Sequence, residues 1–548
     1  MKHLSVLILF LLQCFCFEAF AQEYVEKVPK YKFSTTLNKQ LKELEKNPTL
    51  EEFAELRSEL DAADRWRPHY HFSAPDGKLN DPNGLCYWQG RWHMFYQAYP
   101  IARDRKLPYW GHAVSDDLIH WEDLPWALYP ETEDGKIYSG TTLVEDDRVI
   151  AIHHTPKYGN YIAISTDPLL LNWERLPEPV VKTPTKGEKV PYGVFDPCIW
   201  KEGDYYYALS GRFKEVEGGA RRPEEYLFRS KDLTNWEYMH PFVEGDQFFT
   251  SGDDRACPYF WPIGSTGKHI LLSFSHYSGG RYTLGTYDTE RQKFVAYEGG
   301  GFNHGPTGRG GFHAPSGTPD PNSDGVVTIF NLKPAIRSKG DLFSEAMTLP
   351  RLLSLEEHDL LVVKPFGDYQ SLRGDHKFFE HRVISANTEV VLPELVGDVV
   401  EFELEIDTKK CNTFELDVMA SPNKEEYTRI VFMKNAGYTN RERTKDRKKT
   451  RPSVVMLDTT HSSVSPDFFV RQPEMADVYI APGETVKLHI FIDRSIIEVF
   501  VNDRLSLVLR AYPMLDTSKG VTIRAAGNPI EILRADAWQM KSIYKHRQ

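Results

Sequence analysis

The sequence predicts an all-β protein, a five-bladed β-propeller followed by a C-terminal β-sandwich, with a short N-terminal helical segment. Three observations carry that expectation. From about residue 66, short runs rich in Tyr, Trp, Val and Ile alternate with Gly, Asp, Asn and Pro, as in "GLCYWQGRWHMFYQAY", "DPCIWKEGDYYYALSGR" and "KHILLSFSHYS". A motif of Ser, Asp, Leu and Trp recurs in "SDDLIHWEDLP" (115–125), "STDPLLLNWERLP" (165–177) and "SKDLTNWEYM" (230–239), with a weaker copy in "TYDTERQKFV" (286–295). Past residue 365 the motif stops, yet period-2 alternation continues in "VVEFELEID", "TVKLHIFIDRSIIEVFVND" and "LSLVLRAYP".

The first element is "MKHLSVLILFLLQCFCFEAFAQEY". Lys2 supplies a positive n-region, Leu4 to Phe17 an apolar h-region, and Ala19-Phe20-Ala21 a small-x-small cleavage site. This reads as a signal peptide over residues 1–21, too short for a spanning helix. A lipoprotein cleaved before Cys14 is the alternative, although Gln13 is larger than that cleavage tolerates. The expectation is an exported protein, periplasmic or extracellular, with no membrane span. Residues 22–65 carry apolar positions at helical spacing, broken at Asn47-Pro48, with Thr49 and Glu52 as a capping box for a second helix.

Residues 66–365 hold the repeat. Trp121, Trp173 and Trp236 recur every 50 to 65 residues, the size of one four-stranded sheet with its connections. That period divides the region into five blades; unrelated hairpins in a large sandwich are the alternative. Residues 366–548 read as a separate β-sandwich. The basic run "NRERTKDRKKTR" (440–451) reads as a solvated hairpin or loop.

A chain of 548 residues is long enough for two or three domains, and 13% aromatic with 41% hydrophobic content excludes a disordered protein. A net charge of −12 argues against a nucleic-acid partner, which needs a basic surface. Cys86, Cys198, Cys257 and Cys411 are widely spread and match neither a disulfide scaffold nor a zinc motif. No ligand cluster or phosphate loop is legible, so no metal and no organic cofactor are expected.

Two carboxylates stand out. Asp81 lies in "KLNDPNG", where Asp, Pro, Asn and Gly are the preferred residues of a tight turn. Such a turn at the start of a blade would aim Asp81 into the central funnel. Asp196, in "YGVFDPCIWKEGDYYYAL", also precedes Pro at the head of an apolar strand, about two blades later. Paired carboxylates on one pocket are the arrangement that cleaves glycosidic bonds. A plain structural turn is the alternative for each taken alone.

Taken in order, "KLNDPNG", "FYQ", "WGHAVSDDLIHWEDLPWALYP", "YSGTTLV", "FDPCIW", "TLPRLLSL", "IDRSIIEVFVND" and "RAYP" resemble glycoside hydrolase family 32, the invertases, levanases and inulinases. The resemblance covers about residues 66–548 and implies a five-bladed propeller with a sandwich behind it. It also implies that Asp81 is the nucleophile, forming a covalent fructosyl intermediate, and that Asp196 stabilises the transition state through ring hydroxyls. By the same resemblance Asn80, Gln97, Trp110, Tyr138 and Ser139 line the fructose pocket, with amides for hydroxyls and an indole face for the ring.

The pattern then breaks. The family's acid/base Glu precedes a Cys-Pro pair; in "SGDDRACPYFWPIG" that position is Ala256, which has no proton to give. Phe195 replaces an Arg, Gly311 and His313 replace Asp and Tyr, and Asn331 replaces Trp. Three readings stay open. The acid could have moved to Asp254, two residues away on the same strand face and about 6.5–7 Å distant, with a raised pKa; Asp253 and His313 are weaker candidates. The substrate could be another furanoside or a modified glycan, because Phe195 puts an apolar wall where a charged donor is usual. Or the chain could bind glycans without cleaving them. In each case the partner is an oligo- or polysaccharide, fructan-like by resemblance.

Overall fold

The computed structural model describes residues 26–544, apart from 104–105, 216–217, 246–247, 250–251, 266, 306–307, 338–344, 357–358 and 439–450. The predicted signal peptide and nearly all of the basic run 440–451 lie outside the described residues. No helix among the described residues is long and apolar enough to cross a membrane.

Two helices come first, α1 (Leu37–Leu44) and α2 (Pro48–Ala63). The second is not capped at Thr49 as expected. Its cap is Asn47, whose side-chain oxygen accepts the Thr49 N–H at 3.0 Å. Pro48 can fill the first helical position because its missing N–H would have had no partner there. The Thr49 hydroxyl bonds that of Tyr31 instead, at 3.1 Å. Helix α2 is docked onto the sheets: Phe53 meets Trp126 edge to face at 5.1 Å, and buried Arg57 pairs with Asp123 at 2.6 Å.

Five sheets follow in chain order, each running outward from the first strand of its antiparallel ladder; in the fourth, Val243–Gly245 precedes that ladder and pairs parallel to its outermost strand. Those first strands are Lys78–Trp88 (sheet I), Gly140–Val144 (sheet II), Pro197–Glu202 (sheet III), Ala256–Pro262 (sheet IV) and Phe312–Pro319 (sheet V). The sequence repeat falls on one turn, between the third and fourth strands of sheets I to IV. There Asp117 accepts the N–H groups of Ile119 and His120 (2.9 and 2.8 Å), and Asp232 those of Thr234 and Asn235 (2.9 and 2.8 Å). Asp167 caps Leu171 and Asn172, and Asp288 caps Glu290 and Arg291, in the same way. Trp173 and Trp236 latch two of these turns by donating to Leu170 and Leu233 carbonyls, both at 2.8 Å. The repeat is therefore an Asp-capped turn, a local device that sequence can show.

The first strands are joined sideways in a ring. Asn83 Oδ1 accepts the Gly140 N–H (3.1 Å), Thr141 the Ile199 N–H (3.1 Å), and Asp196 the Cys257 N–H (3.2 Å). Trp261 donates to Gly317 (2.8 Å), and Leu85 N–H to Ser316 (3.0 Å), which returns from sheet V to sheet I. The inner edges thus satisfy their backbone groups on neighbouring sheets rather than on water.

Residues Arg373–Met540 form two six-stranded sheets. Phe402, Leu404, Ile490 and Ile492 of one face Phe414, Leu416, Ile430 and Phe432 of the other in one buried cluster, as two packed sheets require. A fully buried polar lock fixes this unit against the ring. Asp493 accepts N–H groups from His69, Tyr70 and His71 (2.6, 2.8 and 2.9 Å), and Glu498 pairs with Arg351 at 2.6 Å.

Candidate active site

Asp81 does not sit in a free turn. It lies within the 11-residue strand Lys78–Trp88, paired along its length with Arg91–Tyr99. The register slips between Leu79 and Pro82 and again between Asn83 and Cys86, and Gly84 takes a φ of 50°. A Cβ on Gly84 would stand 2.6 Å from the Thr142 methyl. Bulges re-aim a side chain without ending the ladder, so the Asp-Pro-Asn-Gly residues bend the strand instead of reversing it.

The bend buries the carboxylate of Asp81 among donors. Its Oδ2 accepts the Ser139 hydroxyl at 2.6 Å and the Gln97 amide at 3.1 Å. Gln97 also donates to Ser139 (2.7 Å) and accepts from Asn80 (2.9 Å). His313 Nδ1 stands 2.8 Å from Asp81 Oδ1, in contact but off the line of a hydrogen bond. Burial pushes this carboxyl up, but His313, Lys333 and the Ser139 hydroxyl outweigh it and hold Asp81 well below the usual carboxylate range.

Asp196 stands at the head of sheet III, also buried. Among the described residues its Oδ2 receives the Cys257 N–H at 3.2 Å and the Cys257 thiol at 3.5 Å. Burial and the nearby Asp81 push its pKa up to about 7. Both carboxylates meet at one atom, because Cys257 Sγ is also 3.8 Å from Asp81 Oδ2. Burial and the two aspartates raise the thiol itself, so it remains protonated.

Asn80 is bridged to Lys333 (2.5 Å), which also reaches Glu345 (3.0 Å). Trp110 is fully buried, stacked on Phe95, and its indole N–H holds the Tyr138 carbonyl at 3.0 Å. It braces the segment carrying Tyr138 and Ser139 rather than offering a ring face. Tyr138 is half-buried with its ring toward His154, and Phe195 also packs edge to face on His154 at 5.4 Å. Ala256 is buried opposite Phe274. Asp253 is engaged by Ser275 (2.7 Å) and Ser278 (3.2 Å). Asp254 does not share a strand with Ala256, because that strand begins at Ala256. It binds His276, whose backbone N–H donates to Oδ1 (3.0 Å) and whose Nδ1 meets Oδ2 (2.8 Å). Burial tends to raise Asp254, but its bonds and charge contact with His276 hold it below its ordinary value. A raised acid at that position, expected from sequence, is the opposite of what the neighbours produce.

Sequence reading missed Cys257, His276, Lys333 and Glu345. Each lies in or next to a strand, but nothing local marks which side chains a ring closure will bring together. It also missed the gathering of Glu401, Glu403 and His489, whose ligand atoms lie within 4.8 Å of one another. Arg373 already occupies both carboxylates there, at 2.6 and 2.7 Å.

Two buried carboxylates of unequal acidity at the hub of a ring of sheets are an arrangement of the kind glycosidic bond hydrolysis uses. The chain belongs to glycosyl hydrolases family 32: it matches that family's N-terminal domain over residues 71–365 and its C-terminal domain over residues 368–539. It is 26% identical over 519 residues to a levanase of Bacillus subtilis (strain 168), covering 87% of this chain and 71% of that protein. It is likewise 26% identical to a sucrose-6-phosphate hydrolase of Escherichia coli, covering 86% and 94%. The crystal structure of fructan 1-exohydrolase IIa from Cichorium intybus superposes with a TM-score of 0.72 at 22% identity, over 87% of this chain and 98% of that one. Exo-inulinase from Aspergillus awamori gives 0.69 at 21% identity, over 87% and 99%. These likenesses fix the fold as propeller plus sandwich.

Proposed function

We propose that the protein is an exported hydrolase of β-fructofuranosides or closely related furanosides, acting with retention on an oligo- or polysaccharide. The observation that carries this reading is the convergence of Asp81 and Asp196 on the single Cys257 thiol, with Asp81 ionised and Asp196 near its midpoint at neutral pH. In this reading the five sheets are five blades over residues 66–365, residues 366–548 are the sandwich, and residues 22–65 are a helical segment docked on the first blade. Residues 1–21 direct export.

Asp81 attacks the anomeric carbon as the glycosidic C–O bond breaks, giving a covalent fructosyl ester that water later hydrolyses. Asp196 exchanges hydrogen bonds with ring hydroxyls as positive charge develops on the sugar. Asn80, Gln97 and Ser139 hold both the nucleophile and the sugar hydroxyls, and Tyr138 and Phe195 form walls. The names of the relatives, a levanase and a sucrose-6-phosphate hydrolase, support the substrate class.

Ala256 favours a second reading, a glycan-binding protein on the same scaffold. A hydrolysis panel of levan, inulin, sucrose and aryl furanosides separates the two. The enzyme reading expects reducing sugar from at least one of them, and none after Asp81→Ala. If the wild type releases nothing, while calorimetry records saturable glycan binding that Asp81→Ala weakens, the binding reading replaces it.

A further inference from the structure

We infer that His276 is the proton donor of this site, held in place by Asp254, and that this pair supplies the acid/base function lacking at Ala256. The inference rests on the hydrolase reading above and names a residue for its missing step.

In sheet IV Ala256 pairs with Phe274 across two antiparallel strands. Two residues back from Ala256 is Asp254, and two residues on from Phe274 is His276. Continuing that register beyond the ladder places these side chains opposite each other, and the structure bonds them twice. Ala256 has only a methyl group there, so the function at this end of the sheet passes one ladder step outward.

His276 also points the right way. Its ring lies 5.9 Å from that of His313 and 4.9 Å from that of Phe274, and His313 touches the nucleophile. The side chain is 47% exposed whereas Asp81 and Asp196 are buried, so it stands at the mouth, where a leaving group would depart. Nδ1 is committed to Asp254, and Nε2 has no hydrogen-bond partner among the described residues. A carboxylate on one imidazole nitrogen and a vacant second nitrogen is the arrangement that lets histidine pass a proton. Asp254 from sheet IV, Asp81 from sheet I and Asp196 from sheet III all favour the charged imidazolium. Burial opposes them, and the net shift is upward. His313 from sheet V, whose Nδ1 contacts Asp81, is pushed down by burial and by Lys333.

The other groups are less suitable. Asp254 is held as an anion, Asp253 is engaged by two serines, and His313 is buried against the nucleophile. In the first half-reaction the Nε2–H proton moves to the glycosidic oxygen while Asp81 bonds to the anomeric carbon and the alcohol leaves. In the second, neutral Nε2 takes a proton from water as that water displaces Asp81, which restores the imidazolium.

The test compares a natural β-fructofuranoside with an aryl glycoside whose leaving group needs no proton. His276→Ala and His276→Gln are expected to lower kcat/KM on the natural substrate by about 10²–10⁴-fold and on the aryl substrate by less than about tenfold. The retained aryl activity reports an intact fold. Azide should speed aryl turnover by His276→Ala and yield the glycosyl azide, because it attacks the ester without a base. Asp254→Asn should move the alkaline limb of the wild-type pH profile to lower pH, and His276→Ala should abolish it. Equal losses on both substrates, no azide product, or the same substrate split in Asp196→Asn instead would overturn the assignment while the Asp81 result stands. A wild type inactive on every substrate overturns both readings.

Discussion

The heads of sheets I and III make a controlled comparison. Each presents an Asp-Pro pair at its innermost strand, and each carboxylate is buried to a similar depth, at 7% and 4% exposure. Their charge states nevertheless diverge. Asp81 faces a hydroxyl, an amide, an imidazole and the Lys333 ammonium, whereas Asp196 faces a backbone N–H and a thiol. Position in the ring sets the desolvation cost for both. Neighbours of each decide which one stays ionised, and the ionised one in turn raises the other.

The largest expected effect breaks the comparison at the chemistry. Asp81→Asn should lower kcat by at least about 10⁴-fold, as removal of a nucleophile does. Asp196→Asn keeps a hydrogen-bonding group at the same place and should cost about 10²–10³-fold, the scale of losing one electrostatic stabiliser. Steady-state rates on one fructoside check both. Equal losses would mean that the two aspartates act as one unit.

A smaller effect of opposite sign should appear in stability. Asp196 has a folded pKa of about 7 against its ordinary 3.8, so its protonated form contributes stability that is complete below the unfolded value. That contribution disappears as pH rises through about 7, at a cost of up to roughly 4 kcal/mol. Asp81 is depressed, so its contribution is present above the unfolded value and disappears only as pH falls through the lower folded one. Thermal melts should therefore find Asp196→Asn more stable than wild type at pH 8.5 and little changed at pH 4. Asp81→Asn should be less stable than wild type at both pH 7 and 8.5. A uniform shift across pH for Asp196→Asn would contradict the raised value.

What could be read from the sequence follows from what is local. The Asp-capped turns were visible as a repeat because each cap joins residues two to five apart. Asp81, Gln97 and Ser139 were legible through eight ordered segments, and the structure brings them within hydrogen-bond distance of one another. Other features were not legible, for separable reasons. The Asp-Pro-Asn-Gly run has turn chemistry, but pairing with the next strand overrides it and leaves bulges. Asn47 won the helix cap because Pro48 suits the first helical position. His276 and Lys333 become site residues only through sheet register and ring closure, which a single strand cannot announce. Trp110 kept its place in the site, but burial made it a brace.

The smallest effect probes the atom at which the two regions meet. Cys257 adopts a φ of 48° and places its thiol between the two aspartates, 3.5 Å from one and 3.8 Å from the other. A protonated thiol is a weak donor, so it gives Asp196 little help and leaves the backbone N–H as the main bond. Cys257→Ala removes that help and should raise Asp196 by less than about one unit, or under about 1.4 kcal/mol. Cys257→Ser replaces a weak donor with a strong one and should move Asp196 the other way, narrowing the gap to Asp81. Carbon-13 titration of the aspartate carboxyls, or the pH at which stability begins to fall, reads both shifts. Opposite signs would establish that the asymmetry is set by donor strength at this one position. Shifts of the same sign would mean that the side chain acts by excluding water, and that burial alone separates the two carboxylates.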